Sequence, residues 1–241
     1  MSQSDKTQSA TDAPPRPAWA AADAYLFDID GTLLNVRDAT HYFAFHNAVQ
    51  KVFGVDSNID GVPVHGNTDP GILRAVLRRE GLTDNEIDPR LKDVYQHMCD
   101  EVEGKAADVH AELCPSIVEL LDRLKAADKL LGVVSGNLER IAWIKLERAG
   151  VRQYFSFGCF SDNAELRLHI FRHAIAEAQR QLGSAQPIVC FVGDTPADIK
   201  AARLLGAPVI ALATGIYSVD ALAEHGPDAC FTCGTDMLAS F

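Results

Sequence analysis

Largely apolar runs at 24–27, 130–134, 154–159, 188–192 and 209–213 each end in small or acidic residues, and a sixth lies around 229–231. Hydrophobicity that is continuous rather than alternating suits strands buried on both faces of a parallel sheet. Stretches of helical period stand between the runs: 117–127 after Pro115, 138–149 before Gly150, 168–182 before Gly183 and 197–205 before Gly206. The proline starts and glycine stops agree with the period. Strand and helix in alternation predict an α/β fold with helices packed on a parallel sheet.

One connection breaks the rhythm. Between Leu34 and about Cys114 the sequence shows no strand-like run, only helical patterns: Tyr42, Phe45, Val49 and Val52 on one face, Ile72, Ala75 and Val76 on another, Val94, Met98 and Val102 on a third. Roughly 75 residues far exceed an ordinary βα loop of about 2 to 6, so the pattern predicts an inserted helical subdomain at 36–112 over a core of 23–35 and 113–241. Residues 1–22 hold Ser, Thr, Gln, Ala, Asp and prolines without apolar period before Trp19, and are expected to form a flexible tail.

Charge and composition narrow the function. Twenty-two Lys plus Arg against 33 Asp plus Glu leave a net charge of −11, which repels a nucleic-acid backbone. No apolar run approaches the roughly 18 to 20 residues of a membrane span, and no apolar signal segment follows the N-terminus, so a cytoplasmic protein is expected. Six cysteines are too sparse for a disulfide scaffold in a chain this long and are expected as free thiols; Cys230-x-x-Cys233 lacks the second pair of a structural zinc site and reads as part of a late strand.

The chemistry concentrates at the ends of the apolar runs. The first leads into Asp28-Ile29-Asp30-Gly31-Thr32-Leu33 and the fourth into Gly193-Asp194-Thr195-Pro196-Ala197-Asp198. Carboxylates beside a buried strand are expensive unless a cation or hydrogen bonds receive them. A parallel sheet puts both sets on one edge, where Asp28, Asp30 and Asp194 can converge, and their hard oxygens suit Mg²⁺. The alternative is a turn at Asp30-Gly31 and an Asp198 that only serves a helix N-terminus. The second run ends in Val134-Ser135-Gly136-Asn137, a hydroxyl and backbone N–H groups ahead of a helix, which suits an anion or an ordinary cap.

These segments, in this order, resemble motifs one, two and four of the haloacid dehalogenase-like superfamily, and within it the phosphatases with a helical cap that are similar to phosphoglycolate phosphatase. The likeness spans residues 23–235, and Gly66-Asn67-Thr68-Asp69-Pro70 resembles the Gly-x-Thr-Asp turn in the caps of that group. It implies a Rossmann-like parallel sheet with an inserted α-helical cap, and a Mg²⁺-dependent phosphatase that forms an aspartyl-phosphate on small phosphomonoesters such as phosphoglycolate or sugar phosphates. It implies Asp28 as nucleophile, Asp30 as general acid and base, and Mg²⁺ held by Asp28, the Asp30 carbonyl and Asp194, with Asp198 behind Asp194. Ser135, Gly136 and Asn137 would bind the phosphoryl group, and Thr32 would support the nucleophile loop. The third motif departs from the usual lysine: Asp162-Asn163-Ala164-Glu165-Leu166-Arg167 offers Arg167 as the cation, with Arg172 and Lys145 as rivals. A β-phosphoglucomutase-type mutase, a haloacid dehalogenase and a non-catalytic phosphate-binding relative are the other readings, with a monomer or homodimer expected.

Of the remaining residues, His65, Asn67 and Asp69 stand where a cap meets substrate. His169 and His173, four apart on a helix but without the glutamate of a zinc motif, are expected at the surface. His41 and His46 are expected to pack or lie at the surface of the first cap helix, with Tyr42 and Phe45 in its core.

Overall fold

The computed structural model describes residues 17–241. In chain order the elements are β1 (Ala24–Phe27), β2 (Leu34–Val36), α1 (Thr40–Phe53), α2 (Asp69–Arg79), α3 (Asp84–Ile87), α4 (Leu91–Gly104), β3 (Ala111–Leu113), α5 (Ile117–Ala126) and β4 (Leu130–Val134). There follow α6 (Glu139–Arg148), β5 (Phe157–Cys159), α7 (Arg167–Leu182), β6 (Val189–Gly193), α8 (Pro196–Leu204), β7 (Val209–Leu212), α9 (Val219–Ala223), β8 (Ala229–Phe231) and α10 (Gly234–Leu238).

Six strands form one parallel sheet in the order β5-β4-β1-β6-β7-β8. Successive side chains of a strand point to opposite faces, and both faces are dry. Tyr25 and Phe27 of β1 and Cys190 and Val192 of β6 enter one core with α5 and α6, while Leu26 and Phe191 enter the other with α7 and α8. That is why the runs read as continuously apolar. The chain leaves β1 toward β4 on one side and returns to β6 on the other. This reversal opens a crevice at the carboxyl ends of these strands, the usual ligand position in an open α/β sheet.

The segment between β1 and α5 holds helices α1 to α4, as the periodicity predicts. It also contains strands, which corrects the expectation of helix alone: β2 and β3 pair antiparallel, Leu34 with Leu113 and Val36 with Ala111, as a two-stranded stalk. Asn35 and Glu112 interrupt these two three-residue strands, so neither forms an apolar run. Above the stalk, Phe45 and Val49 of α1, Leu73, Val76 and Leu77 of α2, and Val94, Met98 and Val102 of α4 make a third core, which Leu138 and Ile141 of the α6 segment join. Tyr42 departs from expectation and lies exposed, Ala44 and Ala48 taking the inward positions beside Phe45. On α2 the buried stripe is Leu73, Val76 and Leu77, with Ile72 and Ala75 at its margin.

Residues 1–16 of the expected tail lie outside the described residues. Residues 17–22 are a correction: they form a turn in which Trp19 meets the Phe231 and Phe241 rings edge-on, each at 5.8 Å, and accepts a 2.7 Å bond from the Tyr25 hydroxyl. One large aromatic surface offsets the ordering entropy that the polar composition could not. All six cysteines are free, Cys230 on β8 and Cys233 just before α10. No helix among the described residues is long and apolar enough to cross a membrane.

Candidate active site

Asp28 follows β1 directly, and its amide extends the sheet by donating to the Val192 carbonyl at 2.9 Å. A tight turn comes next, with the amides of Thr32 and Leu33 returning to the Ile29 carbonyl at 3.2 and 2.9 Å. Gly31 sits there at φ 84°, in the left-handed region that glycine adopts without strain. A Cβ at Gly31 would stand 2.3 Å from Asp194 Oδ2, so the turn closes against Asp194 only because that atom is missing. Thr32 Oγ1 then donates to Asp194 Oδ1 at 3.0 Å, tying the β1 turn to the end of β6.

Asp194 follows the last residue of β6, and Thr195 caps α8. The capping is reciprocal: Asp198 Oδ2 accepts from the Thr195 amide at 3.1 Å and from its hydroxyl at 2.6 Å. The helix-end role of Asp198 is therefore real. Its other oxygen accepts from Arg167, and the carboxylates of Asp28, Asp194 and Asp198 each offer an oxygen within 4.8 Å of the others, all three buried. The Asp30 carboxylate does not join them, which corrects the convergence expected from strand ends alone. A residue three positions past the strand has already turned away, and Lys145 Nζ takes its oxygens at 2.8 and 2.9 Å.

Arg167 is the first residue of α7 and lies in the cluster. Its guanidinium donates to Asp198 Oδ1, to Asp28 Oδ2 at 3.5 Å and to the Gly66 carbonyl at 3.1 Å. One turn on, Phe171 stacks on Phe191 of β6 with ring centroids 4.1 Å apart, which fixes the start of α7 over the sheet. Arg172 points to solvent on the same helix, and Lys145 belongs to Asp30. Of the three cations weighed from sequence, Arg167 alone meets Asp28.

Three buried carboxylates facing one guanidinium leave an excess of negative charge. Burial pushes Asp28 up to about 7 against the pull of Arg167, with Asp198 and Asp30 adding to the rise. Burial and the neighbouring Asp28 and Asp198 push Asp194 up to about 8. Burial opposes the Arg167 charge, but Asp198, Asp28 and Asp194 outweigh it and raise its pKa. A compact, all-oxygen donor set with unneutralised charge fits a hard divalent cation such as Mg²⁺. Burial also works to raise Asp30, but the Lys145 ammonium prevails and holds its carboxyl below the usual range.

Ser135, Gly136 and Asn137 connect β4 to α6 on the other side of Asp28. Ser135 is buried, and its Oγ accepts the Asn137 amide at 3.2 Å. The insert descends on this loop: a Cβ at Gly136 would meet the Asn67 carbonyl at 2.2 Å, and the Asp69 amide donates to the Gly136 carbonyl at 2.7 Å. Asp69 Oδ2 in turn accepts the Leu138 amide at 2.9 Å and faces His41 Nε2 at 3.3 Å. Asp69 therefore caps α6 from outside the core, a role the turn motif did not disclose. His65 is exposed, His46 bonds the Ser57 carbonyl, and His169 and His173 are at the surface as expected.

A cavity of about 180 Å³ in the insert is lined by His41, Tyr42, Phe45, Ile59, Val64, Asp69 and Ile72. Larger clefts of about 340 and 470 Å³ open elsewhere, but neither is lined by a strand-end carboxylate.

Sequence missed the contact of Lys145 with Asp30. The signal was present: Lys145 shares the buried face of α6 with Ile141, Ala142 and Leu146, where an unpaired lysine is not tolerated.

Residues 25–212 match the family model of the haloacid dehalogenase-like hydrolases. A phosphoglycolate phosphatase of Synechococcus elongatus is 27% identical over 215 residues, 89% of this chain and 95% of that protein. One of Agrobacterium fabrum is 28% identical over 209 residues, 84% and 85% of the two chains. The crystal structure of CbbY from Rhodobacter sphaeroides in complex with phosphate shares the fold, with a TM-score of 0.67 at 19% identity over 90% of this chain and 96% of that one. The matched segment contains every strand-end carboxylate described above, and the chain belongs to the haloacid dehalogenase-like hydrolases.

Proposed function

We propose that this hydrolase cleaves small phosphomonoesters in a Mg²⁺-dependent reaction through an aspartyl-phosphate on Asp28. The buried cluster of Asp28, Asp194 and Asp198 with Arg167, at the sheet edge beneath a helical insert, carries the reading. The relatives' names support a phosphatase, with phosphoglycolate as the first ester to test.

Asp28 attacks phosphorus through a carboxylate oxygen and the ester P–O bond breaks; Asp30, ionised in the free site beside Lys145, takes up the proton of the bound monoanionic ester and passes it to the departing oxygen. Asp30 then removes a proton from water as it attacks the aspartyl-phosphate, and the P–O bond to Asp28 breaks to release phosphate. Arg167 offsets the charge of Asp28 and of the phosphoryl oxygens. Ser135, Gly136 and Asn137 bind those oxygens beside the α6 N-terminus, and Thr32 holds Asp194 and the nucleophile turn in place. Asp28, the Asp30 carbonyl and Asp194 would hold Mg²⁺, with Asp198 orienting the cluster; the ion supplies charge stabilisation for the transferring oxygens. The 180 Å³ cavity takes the alcohol portion, and its size favours a small one.

The test is phosphate release from a panel of small phosphomonoesters, phosphoglycolate and sugar phosphates included, with Mg²⁺ or excess chelator and with an Asp28→Asn control. Metal-dependent release that falls to background in Asp28→Asn is expected. Equal release by that variant, or transfer of the phosphoryl group to another hydroxyl of the substrate without free phosphate, overturns the reading.

A further inference from the structure

Among the described residues, Lys145 is a strongly buried cation near the site that the proposed reaction leaves without a role. Its side chain is 6% exposed, a costly place for an ammonium, and its proton donors are all accounted for. Two go to the Asp30 oxygens at 2.9 and 2.8 Å and one to Asn137 Oδ1 at 2.5 Å. None is directed at Asp28, Asp194 or Asp198, whose positive partner is Arg167. Lys145 thus serves a different group from the one the third-motif cation serves.

Asp30 needs such a partner. Its side chain is 40% exposed and projects from the tight turn that follows Asp28. A short acidic side chain there has more than one staggered position open to it. Lys145 comes from a rigid helix two turns beyond Asn137 and bridges Asp30 to the phosphate loop. A proton donor must lie within hydrogen-bond reach of the oxygen it protonates, and small misplacements cost rate heavily.

We propose that Lys145 is a positioning residue for Asp30, holding its carboxyl at a fixed place relative to the Ser135–Asn137 loop so that it meets the ester oxygen of the bound substrate. This rests on the reading of Asp28 as nucleophile and Asp30 as acid and base. Lys145 touches neither substrate nor phosphorus. It acts through the step in which the ester P–O bond breaks, the electron pair stays on the alcohol oxygen and the proton that Asp30 has taken from the bound monoanionic ester joins it.

Leaving groups separate this role from a structural one. An alkoxide must be protonated as it departs, whereas p-nitrophenolate is stable without a proton. We compare kcat/KM for an alkyl phosphate and for p-nitrophenyl phosphate in the wild type, Lys145→Met and Lys145→Gln. Far-ultraviolet circular dichroism and thermal melting identify which variants are folded. Expected is a loss of about 10- to 100-fold on the alkyl ester and less than about 5-fold on the aryl ester, within the range of general acid catalysis. On an Asp30→Asn background, Lys145→Met should add less than about 3-fold, because both changes remove one function.

Equal losses on the two esters overturn the proposal, as does a rise in alkyl-ester turnover or a full multiplicative loss on the Asp30→Asn background. If both variants at Lys145 fail to fold, the assignment is overturned in favour of a structural ion pair. Failure of the underlying reading looks different, since the wild type would then release phosphate from neither ester.

Discussion

Replacing Arg167 by methionine tests the electrostatic core of the site without reference to any substrate. The guanidinium is 9% exposed, and its carboxylate partners Asp28 and Asp198 are 6% and 1% exposed. Removing one member of a buried pair costs about 3–5 kcal/mol, because the charge left behind is uncompensated. For a chain of this size each kcal/mol lowers the melting temperature by about 2–4 °C, so a fall of roughly 6–20 °C is expected. The stranded carboxylates can escape part of that cost by taking up protons, which fixes the pH dependence. Asp28, pushed up to about 7, and Asp194, pushed up to about 8, have folded-state values above the unfolded one of 3.8. Such groups contribute their full stability below about pH 4 and lose it as pH rises through the folded values. Without Arg167 the Asp28 value climbs further, so the metal-free variant should lose stability more steeply than the wild type between about pH 4 and 8. Thermal unfolding followed by circular dichroism in chelator at pH 4.5, 6 and 8 reads this directly, with Arg172→Met on the exposed face of α7 as control. A decrement under about 2 °C at pH 8, or one equal at pH 4.5 and 8, would refute the reasoning.

Gly136→Ala should force the 66–68 loop off the phosphate loop, since its Cβ meets the Asn67 carbonyl at 2.2 Å with backbone on both sides. Overpacking of this kind costs about 1–3 kcal/mol, and faster amide exchange over 66–69 with lower kcat/KM is expected; unchanged exchange rejects it. Thr68→Val removes the acceptor for the Gly71 amide at 3.1 Å and the donor to the Glu165 carbonyl at 2.6 Å. A loss of about 1–2 kcal/mol in urea unfolding is expected, and a loss below about 0.3 kcal/mol would show that neither bond contributes. Mg²⁺ should raise the melting temperature more at pH 8 than at pH 5, because Asp28 and Asp194 must be ionised to receive it. Saturation at a hundred times Kd corresponds to about 2.7 kcal/mol, and a shift that persists undiminished in Asp194→Asn counts against the cluster as the site.

The sheet was legible because burial on both faces leaves one signature, and β1, β4, β6 and β7 follow the apolar runs within a residue or so. The stalk was not, because β2 and β3 are three residues long and pair across a long insertion. The positions of Asp28 and Asp194 followed from their place at strand ends, whereas Asp30 and Asp198 exchanged places in the carboxylate cluster. Sequence gives the position of a backbone at a strand end, but one further residue in a tight turn or a helical first turn reverses where a carboxylate points. Arg167 could be proposed by order along the chain. The stripe of Ile141, Ala142 and Leu146 put Lys145 on the buried face of α6, but which carboxylate it meets there depends on how α6 packs over the β1 turn, which local pattern left open.

The insert does more than cover the crevice, because it completes hydrogen bonds that the core cannot supply to itself. A helix N-terminus leaves amides without intrahelical acceptors, and at α6 the Leu138 amide finds its acceptor in Asp69 of the insert. The guanidinium of Arg167 finds one in the Gly66 carbonyl, and the chain just before it is held by Thr68 at the Glu165 carbonyl. Arg74 of α2 adds a paired contact to the Glu165 carboxylate at 2.9 Å to each oxygen. The loop at 135–137 and the cation facing Asp28 are thus both completed by residues 66–69 of the insert and the helix that they open. Separating insert from core to admit a ligand removes acceptors from both at once, at about 1–3 kcal/mol for each donor left buried and unmet. The loop at 135–137 and the Arg167 guanidinium therefore depend on the same short stretch of the insert for their hydrogen bonds.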